Sequence, residues 1–598
     1  MQRARLVYAA ATMSARRAKA AAPSPPVRNP SLALLALIAA LALLRIVAVL
    51  LPGRWLWGLD VFRFAPWWTW AVWAASIASL VPSVGAMLEP RVAELGRRLE
   101  KGWRGPAIAA VAACVLLLLL PDRIHYVGDS LLRWDAVSQG VPARALTPQA
   151  LPLDLWFHSV LPGWLTALGA SPSFAIRLLG ALEAGALAAL AIVYARTLGL
   201  GGGALVGASA LVFWGGWLTL FAGFGKAFAE LVVSALALAA LGLATLRGRR
   251  AIAFGTVLAG TFLLHRSALG FVPAAAWAFW QGRGSRRWLA ALVPVVALAL
   301  LAPRLLESLR TFDTAHFAAP GESLGGAAAR LLAPLRLLDL ANLALFLVPL
   351  LPLLLWRTPG APLLAPAERR FLVLLAIPFV VALFFLRPAQ GTARDFDDYS
   401  TGAMTVAVLV AARAGSALRS STRAGWLAAV IALGAAAPVV GWLALEGDME
   451  KGLARVQAMA AGPPVRTEAE RAWTLDYLGG RWFRAGRYDR AAAALEQAAQ
   501  LAPSPRLVLG WSAAAERSRD FASAERAYRL LYDRASMMEG GERVRAVAIG
   551  GLAVSAARRR DWPEARRWAE LGVQESPGDT AAVLLLQRVL AAQADTSR

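Results

Sequence analysis

Residues 31–51 read SLALLALIAALALLRIVAVLL, and a second run, Ile108–Leu120, reads IAAVAACVLLLLL. A soluble fold has no use for such runs, and many more follow. A lipid bilayer does, because about 20 apolar residues in a helix cross its hydrocarbon core with every backbone polar group satisfied. The composition agrees: hydrophobic residues make up 58% of the 598, and charged residues only 17%. The 23 Trp residues fit as well, since indoles favour the membrane–water interface.

The formal charge of +24 invites a nucleic-acid or anionic-lipid reading. Almost all of it is Arg, in short clusters at the ends of apolar runs, where membrane orientation explains it. No basic stretch is interleaved with aromatics as single-strand binding requires, so nucleic acid is not an expected partner. The one cysteine, Cys114, lies inside an apolar run, which rules out a disulfide within the chain and argues against a cysteine nucleophile. The basic residues Arg3, Arg5, Arg16, Arg17 and Lys19 precede the first run, which lacks a small-residue cleavage site. We read 1–30 as a cytoplasmic basic segment and the run as an uncleaved first span.

The expected fold class is all-α: a polytopic helical bundle followed by a soluble α-solenoid. Thirteen spans are expected near 31–51, 66–87, 106–121, 173–198, 203–222, 226–246, 251–264, 268–281, 288–306, 333–356, 370–387, 401–415 and 424–445. The connections with Arg91/Arg97/Arg98/Lys101/Arg104, Arg247/Arg249/Arg250, Arg283/Arg286/Arg287, Arg369/Arg370 and Arg413/Arg419/Arg423 then share one side, the cytoplasmic one by the positive-inside rule. An odd number of spans puts the C-terminal part outside. The outer connections are 122–172, 307–332 and 388–400; within the first, Leu155–Leu168 is apolar but short and reads as a helix at the outer interface. A bacterial inner membrane is the expected location.

Beyond residue 445 no long apolar run occurs, and a period near 34 residues appears. Leu478, Gly479, Trp482, Gly486, Tyr488, Ala491, Leu495, Ala498 and Pro503 match the tetratricopeptide pattern. Trp511, Phe521, Ala524, Tyr528 and Leu531 fill the same slots in a second copy, and Leu552, Ala556, Trp562, Ala565 and Pro577 in a third. Residues 578–593 read as a capping helix. Such arrays are protein-binding surfaces or structural caps. The domains are therefore 1–30, the membrane domain 31–445 and a repeat domain 446–598.

Ionisable groups at membrane depth are costly, so their positions point to function. Asp129 stands in His125-Tyr-Val-Gly-Asp-Ser-Leu-Leu-Arg133, just outside the third span; Asp135, Asp154 and His158 follow in Pro152-Leu-Asp-Leu-Trp-Phe-His158 and its approach. An acid in the first large outer loop, a Pro-Leu-aromatic interfacial helix, a Gly169-Ala-Ser linker and a span opened by Ala175-Ile-Arg-Leu occur in the same order in GT-C membrane glycosyltransferases. The stretch 152–199 resembles the aminoarabinose-transferase and protein mannosyltransferase families, and a looser resemblance covers 106–445. Some GT-C proteins also carry C-terminal tetratricopeptide repeats. The chain departs from many relatives in having one acid rather than two in Gly128-Asp129-Ser130, Leu151-Pro152-Leu153-Asp154 in place of a His-Pro-Pro-Leu element, and two spans before the loop.

The resemblance implies transfer of a sugar from a polyprenyl-phosphate carrier to an acceptor on the outer face, with inversion. Such transfer needs a carboxylate to take the acceptor proton or to hold a metal, and Asp129 is the candidate. The phosphate leaving group needs cationic or donor groups at the outer ends of spans. Lys226, Glu230 one turn later, His265, Arg266, Arg394 and Asp395 are the candidates, with Asp397 and Asp398 beside them and His158 as a further substrate-binding residue. Lys226 and Glu230 also read as a plain i,i+4 pair. A divalent metal is the one cofactor left open; no spacing among the four His is ligand-like. Two other readings remain at this stage: an O-antigen ligase or polymerase-like enzyme, using Arg310, His316 and Arg330 of the 307–332 loop, and a non-catalytic scaffold that anchors the repeats.

Overall fold

The computed structural model describes residues 30–128, 130–141, 147–311, 316–317, 322–356, 362–538 and 540–596, and these contain helices and no strand. Among them, six helices are long and apolar enough to cross a membrane: α1 (Pro30–Leu50), α2 (Pro172–Thr197), α3 (Phe228–Leu246), α4 (Arg286–Thr311), α5 (Asp397–Arg419) and α6 (Ala424–Glu446). Helices α3 and α6 are central, each with 83% of its apolar window buried, whereas α4 has 22% and α1 33%. A bilayer is the natural solvent for the apolar faces that α1 and α4 leave uncovered, Leu43, Leu50, Val295 and Leu300 among them.

The remaining expected spans take other shapes. The one at 66–87 is Thr69–Ala78 joined to Pro82–Leu99 at 96°, and the one at 203–222 is Gly202–Phe213 joined to Gly216–Ala222 at 63°. Counting each pair as one span gives up to eight. Pro82 and the Gly215-Gly216 pair supply the breaks, since neither residue type continues a helix smoothly. Shorter apolar helices cover Arg104–Leu119 and Ala251–Leu264. The segment at 268–281 begins as a 3₁₀ turn, Arg266–Phe271, before the helix Val272–Gln281. The segment at 333–356 is Pro334–Leu347 followed by the 3₁₀ turn Leu351–Leu355, and that at 370–387 lies in Pro366–Phe385. The 401–415 segment is the middle of the 23-residue α5.

The basic connections meet one another on one face of the bundle. Arg196 donates to the carbonyls of Leu99 and Gly102, Arg247 pairs with Glu368 at 2.6 Å, and Glu89 accepts from the amides of Gly425 and Trp426. The opposite face gathers the other ends. The Asp122 amide donates to Ala222, that of Arg123 to Glu446, and that of Gly128 to Arg394. This second face carries the candidate residues and the C-terminal part.

Beyond α6, the helix Met449–Ala461 leads into α7 (Glu468–Arg484), α8 (Tyr488–Leu501), α9 (Pro505–Arg517), α10 (Phe521–Arg534), α11 (Gly541–Arg558), α12 (Trp562–Glu575) and α13 (Thr580–Thr596). Each packs on the next. The helix starts are capped as their sequences dictate: Thr467 and Glu470 form a capping box, and Ser504, Asp520 and Asp561 each accept from an amide in the first turn. Small residues let the helices approach, so a Cβ on Gly479 would collide with Leu495. Ala491, Ala498, Trp511, Ala524, Leu531, Leu552, Ala556 and Ala565 are all buried. Ile124 and Tyr126 of the first outer loop belong to the same apolar cluster as Leu453, Leu478 and Trp482, so the loop is packed into the C-terminal part.

Candidate functional site

Three segments of the second face converge on one cavity of about 370 Å³. The first is the outer loop. Its helix Ser130–Gln139 carries Arg133, and a further helix starts at Pro152, a residue suited to the first helical position after the extended Leu151. One turn later Trp156–Val160 forms a π-turn, a feature that widens a helix by one residue. Asp154 and His158 lie on these two turns, both buried. Arg133 Nη1 and Nη2 donate to the two oxygens of Asp154 at 2.7 and 2.9 Å, a bidentate pair. The exposed Trp164 and Leu168 of the same segment suit a membrane interface.

The second segment is the turn before α3. Gly223, at φ 135°, reverses the chain so that Lys226 projects towards the cavity. Its Nζ lies 3.4 Å from Asp397 Oδ2 and 5.8 Å from the ring centres of Phe224 and Phe228. The third is the chain after Ala251–Leu264. The His265 Nδ1 accepts from the Ser267 amide at 3.2 Å, so its proton sits on Nε2, and burial together with the neighbouring Arg266 holds the ring below the usual histidine range. Arg266 follows on the cavity wall, and Asp398 and Tyr399 close it from α5.

Lys226, His265 and Arg266 all line this cavity. His158 and Glu230 are not on the wall. They lie behind it, His158 Nε2 at 3.0 Å from Glu230 Oε1 and His158 Nδ1 at 2.9 Å from Asp154 Oδ1. Arg394 and Asp395 are also off the cavity. Arg394 donates to the carbonyls of Tyr126 at 3.2 Å and Trp473 at 3.0 Å and lies against the Tyr126 and Tyr477 rings. Asp395 Oδ2 accepts from the Gln390 amide at 2.7 Å and closes the turn before α5. Asp129 lies outside the described residues, as does much of the loop with Arg310 and His316 at its ends. Its neighbour Gly128 is described and rests on the Lys226–Asp397 pair.

Arg133 and Tyr399 were not among the sequence candidates. For Arg133 a signal existed: Asp154, an acid in an apolar interfacial helix, needs a buried cation, and Arg133 is an Arg that precedes it in the same loop. The Arg133 Nε and the Gln149 Oε1 are buried at the cavity without an acceptor or donor among the described residues. Part of the lining is apolar, from Leu269, Phe379, Ala382, Leu383 and Leu386. Among the described residues no group of three or more His, Cys, Asp or Glu is placed to hold a metal ion.

No family model matches the chain, and no curated protein matches it. Among solved structures it is similar to ArnT from Cupriavidus metallidurans bound to undecaprenyl phosphate, with 16% identity over 73% of this chain and 81% of that one and a TM-score of 0.39. It is similar also to the apo form of that protein, with 15% identity over 71% and 80% and a TM-score of 0.36.

Proposed function

We propose that the chain is a GT-C-type membrane glycosyltransferase that takes a sugar from a polyprenyl-phosphate carrier and passes it, with inversion, to an acceptor on the outer side. One observation carries the reading: a single cavity is lined by the cations Arg133, Lys226 and Arg266 and by the apolar side chains of Leu269, Phe379, Ala382, Leu383 and Leu386. A phosphate attached to an isoprenoid chain is a ligand that uses both. The phosphate would accept from Arg133 Nε, Lys226 and Arg266, and the isoprenoid would lie along Phe379, Ala382 and Leu386. Gln149 is placed to accept from a sugar hydroxyl.

In this reading Asp129 is the base, because inverting transfer needs a carboxylate on the acceptor side and Gly128 brings the backbone next to it onto the Lys226–Asp397 pair. Thirteen spans, a cytoplasmic N-terminus in a bacterial inner membrane and a tetratricopeptide domain outside complete the arrangement. The repeat domain would present a protein partner.

The test measures undecaprenyl phosphate binding to the full chain in lipid nanodiscs. Lys226→Ala and Arg266→Ala should each weaken it about 10- to 100-fold, the worth of one charge-assisted hydrogen bond. Asp129→Asn should leave binding intact and abolish transfer. A wild-type chain that binds no polyprenyl phosphate would favour the scaffold reading instead.

A further inference from the structure

His158 is the one histidine held by carboxylates at both ring nitrogens among the described residues: Nδ1 lies 2.9 Å from Asp154 Oδ1, and Nε2 lies 3.0 Å from Glu230 Oε1. An ionised carboxylate only accepts hydrogen bonds. The His158 Nδ1–H donates to Asp154, and the Glu230 carboxylate 3.0 Å from Nε2 stabilises positive charge there, so together the two favour the imidazolium, the form with a proton on both nitrogens. The series continues outward through Asp154 to Arg133, whose fork occupies both Asp154 oxygens. Arg133, Asp154, His158 and Glu230 thus alternate in charge, and all four are more than nine-tenths buried. Glu183 of α2 stands next to Glu230 at the inner end.

We infer that His158 is a positioning residue: a permanent imidazolium that fixes the Asp154 carboxylate and, through it, aims the Arg133 guanidinium into the cavity. The inference rests on the carrier reading for what Arg133 binds, but not for the charge state of His158. The geometry explains why a histidine is needed. Both oxygens of Asp154 accept from Arg133, a pairing that depends on how the carboxylate is turned, and His158, on the π-turn, contacts both Asp154 and Glu230. Without the ring Glu230 would be a buried carboxylate lacking its cation, and Asp154 would keep only one of its two. The ring is unsuited to base catalysis, because neither nitrogen has a free lone pair.

Burial pulls the ring towards neutrality. Glu230 and Asp154 outweigh it and leave the pKa raised to about 9. The groups facing it are Asp154 on its own segment and Glu230 on α3, with Arg133 and Glu183 one step further out.

The decisive experiment is ¹⁵N spectroscopy of the histidine-labelled full chain in nanodiscs, paired with binding of undecaprenyl phosphate. The chain has four histidines, and the signal that His158→Gln removes identifies this one. We expect both ring nitrogens to stay protonated from neutral pH up to about 9. A ring that is neutral at pH 7, in either tautomer, overturns the inference; should His158→Gln not fold, the wild-type titration still decides, because the absence of any histidine signal that stays cationic up to about pH 9 overturns it. In the binding arm, His158→Gln and Arg133→Ala should each weaken affinity about tenfold, with little further loss in the double variant. Independent, additive losses would overturn the positioning role. If the wild type binds no polyprenyl phosphate, the carrier reading fails and the spectroscopic arm still judges the imidazolium.

Discussion

Gly128 rests directly on the ion pair of Lys226: a Cβ at this position would stand 3.2 Å from Lys226 Nζ and 3.0 Å from Asp397 Oδ2. Its φ of 47° is also one that side chains adopt at a cost. Both constraints act on the residue that precedes Asp129. Gly128→Ala should therefore lower stability by about 1–2 kcal/mol and displace the pair. Thermal unfolding of the purified chain should show the first effect, and carrier binding the second. An unchanged affinity would separate the loop from the cavity.

A second relationship joins the C-terminal part to the bundle. Arg466 donates to both oxygens of Asp339, at 2.5 and 3.0 Å, and Asp339 also accepts from the Trp57 indole at 2.8 Å. Both charges are nearly buried, with about a tenth of each side chain exposed. Removing one partner strands the other, at about 3 kcal/mol. Asp339→Ala and Arg466→Ala should each lower the unfolding temperature, and the double variant should lose less than the two losses added together. A double-mutant cycle measures the coupling; additivity would show that the pair contributes nothing.

Asp395 gives a pH dependence of known sign. Burial, and then the neighbouring Asp397, raise its carboxyl from the ordinary 3.8 to about 7. A raised carboxyl binds its proton more tightly in the folded chain than in the unfolded one. Its effect is thus absent below about pH 4 and grows into a loss of stability as pH rises towards 7. Asp395→Asn keeps an oxygen for the Gln390 amide and removes the charge. Relative to wild type it should gain stability between pH 4 and 7, with the gain constant above. A gain that instead grows as pH falls would refute the assignment.

How much of this was legible depended on how local the signal is. The runs at 31–51, 173–198, 226–246 and 424–445 became α1, α2, α3 and α6 within a few residues, because uninterrupted apolar sequence leaves a chain in lipid little choice but a helix. The bends at Pro82 and Gly215-Gly216 were visible as residues but not as angles, which packing sets. Lys226, His265 and Arg266 could be found because each is a polar residue at the end of an apolar run. Arg133 was missed because its partner, Asp154, lies 21 residues away across a loop. Arg394 was read as a phosphate ligand because its own loop is rich in charge, while the Tyr126 carbonyl that holds it is 268 residues distant. Long-range pairing of that kind leaves no mark on neighbouring sequence.

That difference between Arg394 and Lys226 can be tested. Both are cations of the outer face, and a purely electrostatic view would expect either loss to weaken an anion. Arg394, however, has its donors on the Tyr126 and Trp473 carbonyls and lies against two tyrosine rings, in the seam between the loop and α7. Arg394→Ala removes two hydrogen bonds to buried carbonyls and the contact with the rings, worth about 2–4 kcal/mol together. Its main effects should be a lower unfolding temperature and faster proteolysis in the 122–141 loop. Lys226 faces the cavity and also pairs with the buried Asp397, so Lys226→Ala should weaken carrier binding and also lower stability by stranding that carboxylate. Arg394→Lys is the control: it keeps the charge but loses the planar fork that reaches both carbonyls. If Arg394 holds the seam, Lys should behave almost like Ala. If instead Arg394→Lys restores stability, charge alone matters there, and the seam does not depend on the guanidinium geometry.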